Sequence, residues 1–208
     1  MLDKIIAYAK AKEKNILILG SPRSGTHALG AEFATVDPSI KNIGEICIMG
    51  ESNTPWNDIE KLFATHSTTV AHLVQLLPKI HLANQIPTIK KHVIIVCLRR
   101  KDKIKQFASN YYFRKIFNGP WHNHTGEKFQ IQPGHIEATQ EDIRQFMQEQ
   151  MFDDYFLPDF NLCYEDLIFT QRRYNKNSFP FPLEQIFSNL DYVKEHLGTW
   201  DYHDEHLK

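Results

Sequence analysis

Hydrophobic positions along the chain follow two different periods. Ile16-Leu17-Ile18-Leu19 and Val93-Ile94-Ile95-Val96-Cys97-Leu98 are unbroken apolar runs, too short for helices and rich in β-branched residues. They predict strands buried on both faces, the habit of parallel sheets. Elsewhere apolar residues recur three and four apart. Ile5, Ile6 and Ala9 predict an amphipathic helix over 2–12, and a second helix follows the first strand through Ala28, Leu29 and Phe33. Asp102 is placed to cap a helix carrying Ile104, Phe107, Ala108, Tyr111 and Tyr112. Thr139, with Asp142 three residues on, opens a helix whose stripe is Ile143, Phe146, Met147 and Met151 and which ends before Pro158. Phe160–Cys163 predicts a late strand. Ile186, Phe187, Leu190, Val193 and Leu197 predict a last helix over 183–197. Strands alternating with helices imply the α/β class. The expected form is a three-layer sandwich about a mainly parallel sheet, in one domain over residues 1–208.

Two stretches carry mixed signals. Ile40–Cys47 is mostly apolar but holds Glu45 directly after Gly44. Thr68-Thr69-Val70-Ala71-His72-Leu73 is β-branched like a strand. The whole of Ser67–Ile80 also fits an amphipathic helix with His72 on its surface, and that reading is preferred. Residues 50–66 and 112–135, with their Pro, Asn, Gly and aromatic content, predict irregular excursions, the second a lid beside an acceptor. His122 and His124 lie in it without supporting Cys or carboxylate spacing, so no metal is expected there.

Composition narrows the function classes. With 42% apolar and 24% charged residues the chain suits a folded domain with a sizeable core. A net charge of −1 gives no global field for nucleic acid, so any anion site must be local. No apolar run approaches a membrane span, and no signal-peptide core stands near the start. Cys47, Cys97 and Cys163 show no CxxC pairing and read as reduced thiols. A soluble cytoplasmic protein is the expectation.

The candidate chemistry begins at the end of the first strand. Gly20-Ser21-Pro22-Arg23-Ser24-Gly25-Thr26-His27 joins a strand to a helix start. Helix starts hold N–H groups with no acceptor inside the helix and a partial positive charge, so such a loop suits an anion. Gly20 and Gly25 have the separation of the Walker glycines. Thr26, however, stands where that pattern needs Lys, and His27 where it needs a Mg²⁺-holding Ser or Thr. The second apolar strand ends in Arg99-Arg100 and not in an Asp able to serve Mg²⁺.

Pro22-Arg23-Ser24-Gly25-Thr26 resembles the 5′-phosphosulfate loop of sulfotransferases that use 3′-phosphoadenylyl sulfate (PAPS). The Arg form is similar to the bacterial trehalose and glycolipid enzymes and to the protein-tyrosine sulfotransferases. Leu98-Arg99-Arg100-Lys101-Asp102-Lys103 through Ser109 resembles their 3′-phosphate segment, a strand ending in Arg and then a helix supplying Ser. Which of Arg99, Arg100 or Lys101 holds that phosphate stays open. Tyr164-Glu165-Asp166-Leu167 is similar to an architectural motif that follows a late strand in the family.

The resemblance implies a P-loop nucleoside triphosphate hydrolase-like fold and sulfuryl transfer from PAPS to a hydroxyl or amine of a small-molecule or carbohydrate acceptor, without metal. It implies that Arg23, with Ser24, Gly25, Thr26 and His27, holds the 5′-phosphate, and that Arg99 or Arg100, with Ser109, holds the 3′-phosphate. It implies Glu45 as general base, since a carboxylate in a partly dry pocket has a raised pKa. His72 is the second candidate. Two other classes stay in play: a Mg²⁺-dependent P-loop kinase of a small metabolite, and a nucleotide-binding protein without turnover.

Overall fold

The computed structural model describes residues 1–46, 68–74, 76–115, 136–170 and 182–198. In chain order these form α1 (Leu2–Ala11), β1 (Asn15–Leu19), α2 (Thr26–Val36), β2 (Lys41–Glu45), β3 (Thr69–Leu73), α3 (Leu76–Ala83), α4 (Ile86–His92), β4 (Val93–Arg99), α5 (Lys103–Lys115), α6 (Gln140–Met151), β5 (Phe160–Cys163) and α7 (Leu190–Gly198). Two compact units divide the chain, one of residues 1–101 with 149–176, the other of 102–148 with 177–208.

The first unit is built on a five-stranded sheet of order β2-β3-β1-β4-β5, parallel at every pairing. β1 is central because all its side chains after Asn15 are buried, as the unbroken apolar run requires. Side-chain alternation sorts the sheet into two cores. Ile16, Ile18, Val70, Ile94 and Val96 face one way, against Ile5, Ile6 and Ala9 of α1 and Leu29 and Phe33 of α2. Leu17, Leu19, Ala71, Leu73 and Ile95 face the other way, against Leu82 of α3 and Ile89 of α4. α2 follows β1 on one face, whereas α3 and α4 follow β3 on the other. The chain therefore changes direction beside β1, and such a switch leaves a crevice at the carboxyl end of the strands.

The second unit packs α5, most of α6 and α7 around aromatic rings. Phe107 stacks on Tyr111 at 5.2 Å and on Phe187 at 5.6 Å, and meets Phe146 edge-on at 5.3 Å. The expected caps form. Lys105 N–H donates to Asp102 Oδ1 at 2.9 Å. Thr139 and Asp142 make the reciprocal pair of a capping box, with Asp142 N–H donating to Thr139 Oγ1 at 3.2 Å and Thr139 N–H to Asp142 Oδ2 at 3.0 Å.

Three expectations fail. Residues 69–73 are a buried strand and not part of a surface helix. Thr69 to Leu73 gain a ladder on both sides, from β1 and from β2, which outweighs the helical spacing of the longer stretch. The last helix starts at Leu190, and Leu183–Gln185 is only a 3-10 turn. The backbone of 186–188 is diverted: Ile136 N–H donates to Ile186 O at 2.7 Å, and Ser188 N–H to Ile136 O at 3.0 Å. Met151, expected on the buried stripe of α6, is 54% exposed, because Phe152–Phe156 turns away in a 3-10 helix. Among the described residues no helix is long and apolar enough to cross a membrane, and Cys97 and Cys163 are free thiols. Cys47, His122, His124 and the 50–66 and 116–135 stretches lie outside the described residues.

Candidate functional site

The loop after β1 is a tight, preorganised turn. Ser24 N–H donates to Ser21 O at 3.1 Å, which folds the chain back. Arg23 has φ +66° and Gly25 φ +101°. The left-handed region costs a residue with a side chain about 1–2 kcal/mol, so Arg23 is held in place by its surroundings. Gly25 caps α2, and a Cβ there would meet the Tyr164 ring at 2.4 Å. A Cβ on Gly20 would lie 2.3 Å from Ser24 Oγ and 3.1 Å from Leu98 O. Glycine is thus required at both ends of the loop for different reasons: space at Gly20, space and backbone conformation at Gly25. Ser24 Oγ is buried with no hydrogen-bond partner among the described residues, a state that costs about 1–3 kcal/mol unless a ligand relieves it. Gly25→Ala is expected to lower stability by about 1–3 kcal/mol. Urea unfolding and thermal shift of the variant check this, and an unchanged midpoint would show that the cap tolerates a side chain.

The basic residues after β4 take three separate directions. Arg99 pairs with Asp154 and hydrogen-bonds Cys97 Sγ, so it belongs to the sheet face of α3 and α4. Lys101 is fastened to the 3-10 turn Tyr164–Asp166: its N–H donates to Glu165 Oε2 at 3.0 Å and its Nζ to Asp166 Oδ1 at 2.7 Å. Arg100 stacks its guanidinium on the Tyr164 ring at 4.4 Å. Arg100 is also the one of the three whose charge reaches the loop. The Arg23 pKa is lowered, first by burial and then by Arg100. By surface area Arg23 is exposed, so the desolvation comes from protein crowded round a group that still meets solvent, and the guanidinium stays protonated at any physiological pH. Tyr164 therefore supports both parts, with its ring against Gly25 and under Arg100. The sequence reading treated its motif as architectural and missed this link.

A second cluster stands at the ends of β2 and β3. Lys41 and Asn42 pair with Thr69 and Val70, but then Gly44 and Glu45 pair with Ala71 and His72, leaving Ile43 as an extra residue. The bulge forms at Gly44, φ +82°, whose N–H donates to Asn42 Oδ1 at 3.0 Å. Strand side chains alternate, so one extra residue moves every later side chain to the opposite face. The bulge therefore brings Glu45 alongside His72. His72 is fully buried, the Glu45 side chain is only 9% exposed and His27 is exposed. His27 Nε2 lies 3.2 Å from Glu45 Oε2, and the two imidazoles meet edge-to-face at 4.2 Å. The sequence reading used only the backbone of His27. Its side chain joins the two residues offered as alternative bases.

Beneath the loop lies a buried ion pair with no counterpart in the sequence reading. Lys79 Nζ is 2.5 Å from Asp153 Oδ1, with both side chains buried, and donates to Gly20 O at 3.0 Å. Burial raises the Asp153 pKa, and the Lys79 ammonium pulls against it. Gln150 donates to Ser21 Oγ from the end of α6. A polar pair separated by so many residues leaves no local pattern. The only hint is a Lys and an Asp inside otherwise apolar helical spacing.

Of the residues expected in the site, Arg23, Ser24, Gly25, Thr26, His27, Glu45, His72, Arg99 and Arg100 all belong to the first unit, while Ser109 is buried on α5 of the second. Arg99 turns from the loop toward Asp154. No protein-family model matches this chain, and no curated protein matches it either.

Proposed function

We propose that this protein transfers a sulfuryl group from PAPS, bound as donor substrate, to a hydroxyl or amine of a small-molecule or carbohydrate acceptor. One observation carries the reading. At a helix start, the loop carries Arg23, whose pKa is lowered first by burial and then by the charge of Arg100, and it buries a Ser24 hydroxyl that has no hydrogen-bond partner among the described residues. Like charges beside a positive helix end disfavour one another until an anion is placed among them. This donor set fits a phosphate ester, and the resemblance of Pro22–Thr26 to the phosphosulfate loop gives its class. The reading takes the parallel sheet and its loop as P-loop-like.

In that reading Arg23, the Ser24 hydroxyl and the first-turn N–H groups of Gly25, Thr26 and His27 hold the 5′-phosphosulfate, and Arg100 meets the 3′-phosphate. The acceptor oxygen forms a bond to sulfur as the sulfur–bridging-oxygen bond breaks. The acceptor proton goes to a carboxylate, and adenosine 3′,5′-bisphosphate (PAP) leaves. Arg23 stabilises the charge that grows on the departing oxygen. Glu45 serves as base better than His72: its side chain keeps 9% exposure, whereas His72 has none, and a base must reach the proton it takes.

The test has two parts. PAP should raise the thermal midpoint, with about 2.7 kcal/mol of stabilisation at a hundredfold excess over its dissociation constant. ATP with Mg²⁺ should not, and a larger shift with ATP and Mg²⁺ would favour the kinase class. Glu45→Gln should keep the PAP shift and lose turnover by about 10²–10⁴-fold. Normal turnover in that variant would remove Glu45 as the base.

A further inference from the structure

We propose that His27, Glu45 and His72 form a three-ligand site for a divalent transition metal of the zinc type. The inference goes beyond the sulfuryl-transfer reading and does not require it.

The donor set is two imidazoles and one carboxylate, a combination that suits Zn²⁺ with a fourth position open. One ligand atom from each side chain lies within 4.8 Å of the other two. Bonds of about 2.0–2.2 Å to a tetrahedral ion place its ligand atoms roughly 3.4 Å apart. His27 Nε2 and Glu45 Oε2, at 3.2 Å, already have that separation. The other two separations are no more than 4.8 Å, and the exposed His27 has room to move toward His72.

The backbone builds this set in two steps. Strand alternation puts His72 on the face of Val70 and opposite Ile18, among core residues, where it is 0% exposed. A histidine at a core position conflicts with the core pattern, and such a conflict marks function more often than accident. The bulge at Gly44 then carries Glu45 round to the same face. Were Ile43 paired in an unbroken ladder, Glu45 would stand opposite Leu73 and point away.

One feature opposes a bare cation: His27 is the second residue of α2, at the positive end of the helix, with Arg23 in the preceding loop. Affinity is therefore expected in the micromolar range rather than the far tighter range of closed structural zinc sites. The same positive field favours an anion at the open position. If sulfuryl transfer is the activity, the metal and the proton compete for one carboxylate, and Zn²⁺ inhibits until a chelator removes it.

The experiment uses the full chain, stripped with EDTA and free of nucleotide. Co²⁺ is titrated in and its visible absorption recorded. Zn²⁺ then displaces it against a chromophoric chelator. One equivalent is expected, with a tetrahedral cobalt spectrum. His27→Ala and Glu45→Gln, each checked for an unchanged circular dichroism spectrum, should each weaken binding by about tenfold or more. His27→Ala alters an exposed position, so the test does not rest on the buried His72. Absence of saturable binding, or binding that both variants leave unchanged, overturns the site. Because no nucleotide is present, failure here leaves the PAP and turnover tests untouched, and failure of those tests leaves the metal site standing.

Discussion

Arg23→Gly is expected to yield a protein that is more stable than the parent and inactive. The parent residue sits at φ +66°, where glycine pays almost no steric penalty and a side chain costs about 1–2 kcal/mol. Relief of that strain should raise the unfolding free energy by up to about 1 kcal/mol once the greater freedom of glycine in the unfolded chain is deducted. In the sulfuryl-transfer proposal, loss of the guanidinium removes the cation assigned to the departing oxygen, which is worth about 10²–10³-fold in turnover. Arg23→Ala should lose the same activity without the stability gain, because alanine keeps the backbone penalty. Urea unfolding, PAP thermal shift and transfer assays on both variants separate the two effects. If the glycine variant still transfers, or still responds to PAP as the parent does, Arg23 is not part of the anion site.

Asp153→Ala is expected to cost about 3–5 kcal/mol, the usual cost of leaving one member of a buried ion pair without its partner. Domains have only about 5–15 kcal/mol in total, so the variant should unfold at a much lower urea concentration. Lys79→Met should behave alike. The double variant Lys79→Met with Asp153→Leu should recover most of that loss, since paired apolar groups of similar size are often as stable as the ion pair they replace. It should not recover PAP binding in full. Lys79 Nζ also donates to Gly20 O, and nothing in the double variant replaces that contact at the root of the loop. Single variants as stable as the parent would show that water reaches the pair. Full PAP affinity in the double variant would show that Lys79 only fills space.

Much of the first unit was legible before any coordinates. The runs Ile16–Leu19 and Val93–Leu98 are apolar on both faces, and a strand of that kind has few options except the middle of a parallel sheet. Thr139 with Asp142, and Asp102 with Lys105, are local devices whose parts lie within one helical turn, so spacing alone reveals them. The loop from Gly20 to His27 is equally local. Glycines and a helix start within eight residues suffice to recognise a tight strand–turn–helix loop, and the structure adds why each glycine is needed.

The helix expected over residues 67–80 is present only from Leu76, and residues 69–73 are a strand, for the opposite reason. Apolar spacing there satisfies a helix and a strand equally well, and the choice was made by β1 and β2 on either side. Among the basic residues, Arg99, Arg100 and Lys101 are neighbours and chemically alike, so spacing could not rank them. Asp154, Tyr164 and Glu165, more than fifty residues on, separate the three.

By itself the sequence determined which segments become strands with two buried faces, where the helices after Asp102 and Thr139 are capped and where a tight turn opens α2. Each of those depends on neighbours within a few positions. Only the tertiary structure decided that one bulge sets Glu45 beside His72 and His27, that Arg100 and not Arg99 or Lys101 acts on Arg23, and that Lys79 and Asp153 support the loop from below. Those outcomes depend on register and on contacts between distant segments, where a shift of one residue reverses a face and no local pattern records the result.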